Sequence, residues 1–287
     1  MEDLDFSRSG KQKTLAPAAP LYDAGVARAF FESVGREETA PAGTKFFVEN
    51  ERASRIFLQR DKMYLLLEGE VALLARGRQI GAVKAGEIFG EMAAITESPR
   101  SATAVARSAC RVIGLDDRQF LAALREKPEF ALMLLGLMIR RLRAMLGRLS
   151  GIPALADARE SRVFDKAMLA ALAKGLGESA LVRYERGKLI MVQGQVGALM
   201  YVVLEGRVAI SLRGATVERL GPGGVFGEMA LIDQSTRAAN AAAETDCALL
   251  AINRAVFINL LKSDPTFGVS LLTAVAERVR NLAAGIN

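Results

Sequence analysis

The chain repeats itself, and the repeat limits what it can fold into more than any other feature. Met63-Tyr64-Leu65-Leu66-Leu67-Glu68-Gly69 recurs as Met200-Tyr201-Val202-Val203-Leu204-Glu205-Gly206, an offset of 137. The same offset carries Phe89-Gly90-Glu91-Met92-Ala93 onto Phe226-Gly227-Glu228-Met229-Ala230, Arg100 onto Arg237, Cys110 onto Cys247 and Arg143 onto Arg280. A register held over that span without a gap inside either copy marks a duplicated structural unit. With 287 residues, each copy has the size of an ordinary domain. The reading places a first domain at 21–150 and a second at 161–287. A linker at 151–160 follows the helix stop Ser150-Gly151-Ile152-Pro153. Residues 1–20, mixing Ser, Gly, Lys, Gln and Pro, read as a mobile arm.

Within each copy the hydrophobic period switches. Short apolar, glycine-bounded runs at 64–74, 102–106 and 112–115, and again at 201–212, 239–243 and 248–252, predict strands. Three-and-four spacing predicts leading helices at 24–34 and 162–176, short helices at 117–124 and 254–261, and long ones at 130–149 and 267–284. The fold class is therefore α+β: two tandem β jelly rolls, each flanked by helices. The copies diverge most before Tyr64 and Tyr201, where the first carries extra residues through Lys62.

Composition narrows the function classes. The chain has no histidine, which removes the commonest general base and metal ligand. Its two cysteines hold equivalent positions in apolar stretches and read as core residues. No catalytic residue and no metal site is assigned. The longest strongly apolar run, 130–139, is too short to span a bilayer. The acidic start Met1-Glu2-Asp3 does not resemble a signal peptide, so a cytoplasmic protein is expected. The net charge of +6 reads first as scattered surface lysine and arginine, with a phosphate-binding footprint as the other reading. Arg140, Arg141, Arg143 and Arg148 form the densest basic cluster, either a solvated face or a docking patch for an acidic partner or a phosphate.

The segment that carries chemistry is Gly86-Glu87-Ile88-Phe89-Gly90-Glu91-Met92-Ala93 with Arg100-Ser101, repeated as Gly223-Gly224-Val225-Phe226-Gly227-Glu228-Met229-Ala230 with Arg237-Ala238. Glycines leading into a short helical turn leave its first N–H groups available to an anion. An arginine nine residues past the glutamate can return over that turn and grip a phosphate. The ionised glutamate, an acceptor, suits a sugar hydroxyl. A hairpin closed by a Glu–Arg salt bridge would explain the same pattern, and spacing alone does not separate the two.

Phe-Gly-Glu-Met-Ala followed by Pro-Arg-Ser-Ala-Thr or Thr-Arg-Ala-Ala-Asn resembles the phosphate-binding cassette of the cyclic-nucleotide-binding domain superfamily. That family includes catabolite activator proteins and the regulatory subunits of cAMP-dependent protein kinase. The resemblance covers about 25–150 and 160–287. It implies a first pocket at Gly90, Glu91, Met92, Ala93, Arg100 and Ser101, and a second at Gly227, Glu228, Met229, Ala230, Arg237 and Ala238. Glu91 and Glu228 would take the ribose 2′-hydroxyl, and Arg100 and Arg237 the cyclic phosphate. Family members selective for cGMP often carry threonine after the arginine, so Ser101 and Ala238 favour cAMP over cGMP. The resemblance further implies a sensor that signals to a protein effector by helix rearrangement. The alternative is a scaffold whose ligand is lost or changed, for example to a cyclic dinucleotide. No DNA-reading helix follows either copy, so sequence-specific DNA is not expected as a partner. Oligomeric state and effector stay open.

Overall fold

The computed structural model describes residues 23–52, 61–148 and 160–286; the expected arm and nearly all of the expected linker lie outside them. Asp23 accepts hydrogen bonds from the N–H groups of Gly25 and Val26 and so opens helix α1, Ala24–Val34. Strands β1 (Arg36–Ala40), β2 (Lys45–Phe47), β3 (Lys62–Glu68), β4 (Glu70–Ala75), β5 (Arg78–Lys84) and β6 (Ile88–Phe89) follow. The first copy then runs through α2 (Glu91–Thr96), β7 (Thr103–Ala106), β8 (Cys110–Asp116), α3 (Asp117–Glu126) and α4 (Pro128–Arg148). Asp116 and Gln119 form a capping box that starts α3.

The second copy opens with β9 (Glu160–Ser161) and α5 (Lys166–Leu176). Its roll comprises β10 (Leu181–Tyr184), β11 (Leu189–Met191), β12 (Leu199–Glu205), β13 (Val208–Leu212), β14 (Ala215–Leu220), β15 (Val225–Phe226), α6 (Glu228–Asp233), β16 (Asn240–Ala243) and β17 (Cys247–Asn253). Helices α7 (Arg254–Ser263) and α8 (Pro265–Ile286) follow. One expectation is corrected here. The leading helix does not begin at Arg162: Asp165 accepts from the N–H of Met168 and fixes the start at Lys166. The residues ahead of it leave the helix, and β9 adds to the sheet beside β14, parallel to it.

Each copy holds two sheets, antiparallel throughout apart from the β9–β14 pair. In the first they run β1-β8-β3-β6 and β2-β7-β4-β5; in the second, β10-β17-β12-β15 and β11-β16-β13-β14, with β9 at the edge. Side chains of alternating parity on β3 go to different cores. Tyr64 and Leu66 pack inside the roll with Phe47, Val71, Phe89 and Ala104, whereas Met63 and Leu65 face the helices. β12 does the same, with Tyr201 and Val203 inward and Met200 and Val202 toward the helices. These strands are thus buried on both faces, which explains their unbroken apolar sequence. Cys110 and Cys247 are buried and unpaired, as expected of core residues.

The helical layers of the two copies are one layer. Leu135, Met138, Ile139 and Leu142 of α4 belong to the same buried cluster as Leu271, Leu272, Val275 and Val279 of α8. Each roll interior forms a separate cluster. The order through the molecule is therefore roll interior, inner sheet, shared helices, inner sheet, roll interior. At about 1.5–3 kcal/mol for each large aliphatic side chain buried, the shared layer stabilises both copies together. No helix among the described residues is long and apolar enough to cross a membrane.

Candidate nucleotide-binding sites

Both sites start from a left-handed glycine. Gly90 and Gly227 have φ of 80° and 81°, and each is the N-cap of its short helix without any side-chain cap. A Cβ on Gly90 would lie 2.9 Å from the Phe47 ring, and one on Gly227 would lie 2.7 Å from the guanidinium of Arg237. Only glycine satisfies both the dihedral and the crowding. The phenylalanine just before each glycine is structural: Phe89 stacks on Tyr64 and Phe226 on Tyr201, in both cases with centroids 5.1 Å apart.

The arginines return over these turns, as their spacing suggested. Arg100 Nη1 donates to the Gly90 carbonyl at 2.8 Å, and Arg237 Nη1 to that of Gly227 at 2.9 Å. Both side chains are nearly buried, at 6% and 7% exposure. Burial lowers the pKa of each guanidinium, opposed by Asp61 at Arg100 and by Tyr201 and Glu228 at Arg237.

Around the two arginines the copies part company. Arg100 Nη2 donates to the Lys62 carbonyl at 2.8 Å and pairs with Asp61 at 3.2 Å, while its guanidinium carbon lies 4.3 Å over the Phe47 ring. Burial raises the pKa of the Asp61 carboxyl, with Arg100 pulling it back. In the second copy Ala198 stands in the register of Asp61, and Arg237 makes no ion pair among the described residues. Gly197 instead lets Arg237 lie against the backbone, since a Cβ there would sit 2.0 Å from its Nε.

The glutamates do not pair with these arginines, so the simple hairpin salt bridge suggested by the spacing is not what forms. Glu91 and Glu228, each 2% exposed, are held by arginines of the long helices. Arg141 of α4 bonds Glu91. Arg278 of α8, 137 residues on, donates to Glu228 at 2.8 Å, to Glu218 at 3.2 Å and to the Val225 carbonyl at 2.7 Å. Burial pushes the Glu228 carboxyl upward, and Arg278 works against it. Met92 and Met229 are half-buried and Ala93 and Ala230 buried in the first turns of α2 and α6; Ser101 is exposed and Ala238 half-buried beyond the arginines.

The basic cluster therefore needs correction. Arg141 and Arg143 are not a free solvated or docking face: the first is bound to Glu91 and the second to Asp233 of the other copy. Arg140 is exposed, and the side chain of Arg148 lies outside the described ones. The 137-residue offset between Arg141 and Arg278 was the available signal for a shared role. Nothing local in the sequence pointed to Asp61 or Asp233.

The family model described as "Cyclic nucleotide-binding domain" matches residues 40–127 and 181–264. The chain is 38% identical over 102 residues to a cyclic AMP receptor protein of Thermus thermophilus, covering 34% of this chain and 47% of that one. It is 29% identical over 204 residues to a cAMP-dependent protein kinase regulatory subunit of Eremothecium gossypii, covering 70% of this chain and 40% of the relative. The chain thus spans under half the length of either curated relative. Among solved structures, the regulatory domain of Toxoplasma gondii PKA crystallised with cAMP aligns over 91% of this chain and 95% of its own, at 22% identity and a TM-score of 0.30. The matched residues include both glycine turns, both buried glutamates and both returning arginines, and the chain belongs to the cyclic nucleotide-binding domain family, carrying two copies of that domain.

Proposed function

We propose that the chain is a regulatory sensor of cAMP with two pockets, one in each of the modules 21–150 and 161–287. The observation that carries this reading is the duplicated triad of left-handed glycine, returning arginine and buried glutamate, built the same way twice. The cyclic phosphate would lie against Arg100 or Arg237 and the first N–H groups at Met92, Ala93, Met229 and Ala230. The ribose 2′-hydroxyl would donate to Glu91 or Glu228. Ser101 and Ala238 favour cAMP over cGMP. In this role the chain binds the nucleotide and does not break its phosphodiester.

The output would pass through the long helices. Each glutamate already holds an arginine of α4 or α8, so a hydroxyl arriving at the carboxylate competes with the helix for it. Filling both pockets would change how α4 and α8 pack and which face they offer to a protein effector in the cytoplasm. Converting a 1:99 equilibrium to 99:1 takes about 5.5 kcal/mol of differential affinity, which two pockets supply more readily than one.

Calorimetric titration with cAMP, cGMP and cyclic di-GMP tests the reading. Two sites for cAMP, one lost in Arg100→Ala and the other in Arg237→Ala, support it. Undiminished binding in the double variant refutes the pocket assignment, and binding of the dinucleotide alone favours a changed ligand.

A further inference from the structure

Among the described residues, two polar links cross between the copies at the binding segments, and the one ion pair joins α4 to the end of α6. Arg143 of α4 donates through Nε and Nη2 to the two carboxylate oxygens of Asp233, and Nη2 also donates to the Thr236 carbonyl at 2.9 Å. Asp233 ends α6, and its side chain is only 5% exposed. The same carboxylate accepts from the hydroxyl and the N–H of Ser235 at 2.6 and 3.1 Å. Residues 233–236 are thus one strap, and the residue after it is Arg237, whose N–H bonds the Gln195 carbonyl at 2.8 Å. A planar guanidinium is suited to this because its fork engages both carboxylate oxygens and still reaches a carbonyl.

Among the described residues the link has no equal in the other direction. By the 137-residue offset Arg280 corresponds to Arg143 and Thr96 to Asp233, so the first copy lacks the carboxylate. Toward α2, the helix α8 supplies a 3.4 Å hydrogen bond from the Thr273 hydroxyl to the Ile95 carbonyl. Arg254 further holds the end of α6 through the Leu231 and Ile232 carbonyls, while Asp117 occupies the corresponding place in the first copy. On α4, Arg141 and Arg143 are two residues apart, about 3 Å along the axis. One helix therefore touches Glu91 of the first site with one arginine and the arginine-bearing strap of the second site with the next.

We propose that Arg143, contributed by the first module, is a positioning residue of the second pocket: it fixes the strap that aims Arg237, so the second pocket depends on α4 while the first has no such dependence on α8. The affinity part of this rests on the cyclic-nucleotide reading above. The strap part does not, and that keeps the two separable.

The full chain serves as the test. In an Arg100→Ala background, where only the second pocket binds cAMP, Arg143→Ala raises the dissociation constant about tenfold by calorimetry. Arg143→Lys, which keeps charge but not the fork, recovers part of the loss. In an Arg237→Ala background, Arg280→Ala leaves the first pocket within about twofold. Without nucleotide, Arg143→Ala speeds amide exchange at 235–237 and leaves the first cassette and the interior of α4 unchanged. Unchanged exchange at the strap overturns the proposal, as does faster exchange throughout α4 and α8, which marks a packing defect only. If the parent chain binds no cyclic nucleotide, the binding reading fails and the exchange measurement alone decides the role of Arg143.

Discussion

Asp61 lies against Arg100, its carboxylate oxygen 3.2 Å from Nη2, in a site whose twin holds Ala198 instead. An anion arriving at Arg100 shares its guanidinium with a carboxylate already in place, whereas one arriving at Arg237 meets an undivided cation. For charges about 6 Å apart at an effective dielectric near 20, the repulsion is roughly 3 kcal/mol before further screening. The ordering that Asp61 adds to an arginine held by two carbonyls is smaller, about 1 kcal/mol. The second pocket is therefore expected to bind cAMP about tenfold more tightly than the first. Asp61→Asn should narrow the gap from one side and Ala198→Asp from the other, with each pocket measured alone by titrating the Arg100→Ala and Arg237→Ala chains. Equal affinities in those two chains would contradict the argument.

The two helix arginines should differ in what they contribute to stability. Arg278 is 16% exposed and satisfies three acceptors, including the buried Glu228, while Arg141 is 38% exposed and bonds Glu91. Glu91 and Glu228 are equally buried, so losing either arginine strands a carboxylate at about 3 kcal/mol; Arg278→Ala also removes the donor to Glu218 and to the Val225 carbonyl, at about 1 kcal/mol each. Urea denaturation at constant m-value should rank Arg278→Ala below Arg141→Ala, and the reverse order would contradict the argument from the extra acceptors.

A pH dependence follows from Glu228. Burial raises its carboxyl above the ordinary 4.5, outweighing the opposing pull of Arg278. The folded chain then keeps this proton at a pH where the unfolded chain has released it, so the stability it confers is full below about 4.5 and declines as pH rises through the folded value. Glu228→Gln does not titrate there. The stability difference, wild type minus variant, should fall as pH climbs from 4.5 toward neutrality in denaturation curves. A difference that stays flat or grows would contradict the direction of the shift.

Unfolding should be a single event for the two copies. Leu135, Met138, Leu271 and Val275 are 0% exposed in one cluster drawn from both long helices. Leu271→Ala in the second copy should cost about 2–5 kcal/mol and lower the midpoint of the whole chain. Scanning calorimetry should show one transition in the parent and the variant alike. Two resolved transitions, with only one displaced by the substitution, would mean that the modules melt independently.

The duplication, the glycine turns and the returning arginines were legible because each is a local pattern repeated at one spacing. The strands flanking them were legible only where apolar residues alternate or run together, as in β3 and β12. β1 reads Arg-Glu-Glu-Thr-Ala and β5 is mostly exposed, so neither carries a hydrophobic signature, and pairing alone makes them strands. The start of α5 could have been read from Asp165, whose capping role outweighs the helical spacing upstream. Asp61 was hidden because the first copy's insertion breaks the register just before it. The bond from Arg143 to Asp233 joins residues 90 positions apart, and no short-range pattern encodes such a contact.

The helical layer shared by α4 and α8 has a consequence for dosage. Two separate subunits that meet through such helices would come apart on dilution, and their response would vary with how much protein was made. Here both halves travel on one polypeptide, so each sees the other at a fixed local concentration set by the tether and not by expression level. A response built on that contact keeps the same threshold in a cell holding few copies as in one holding many.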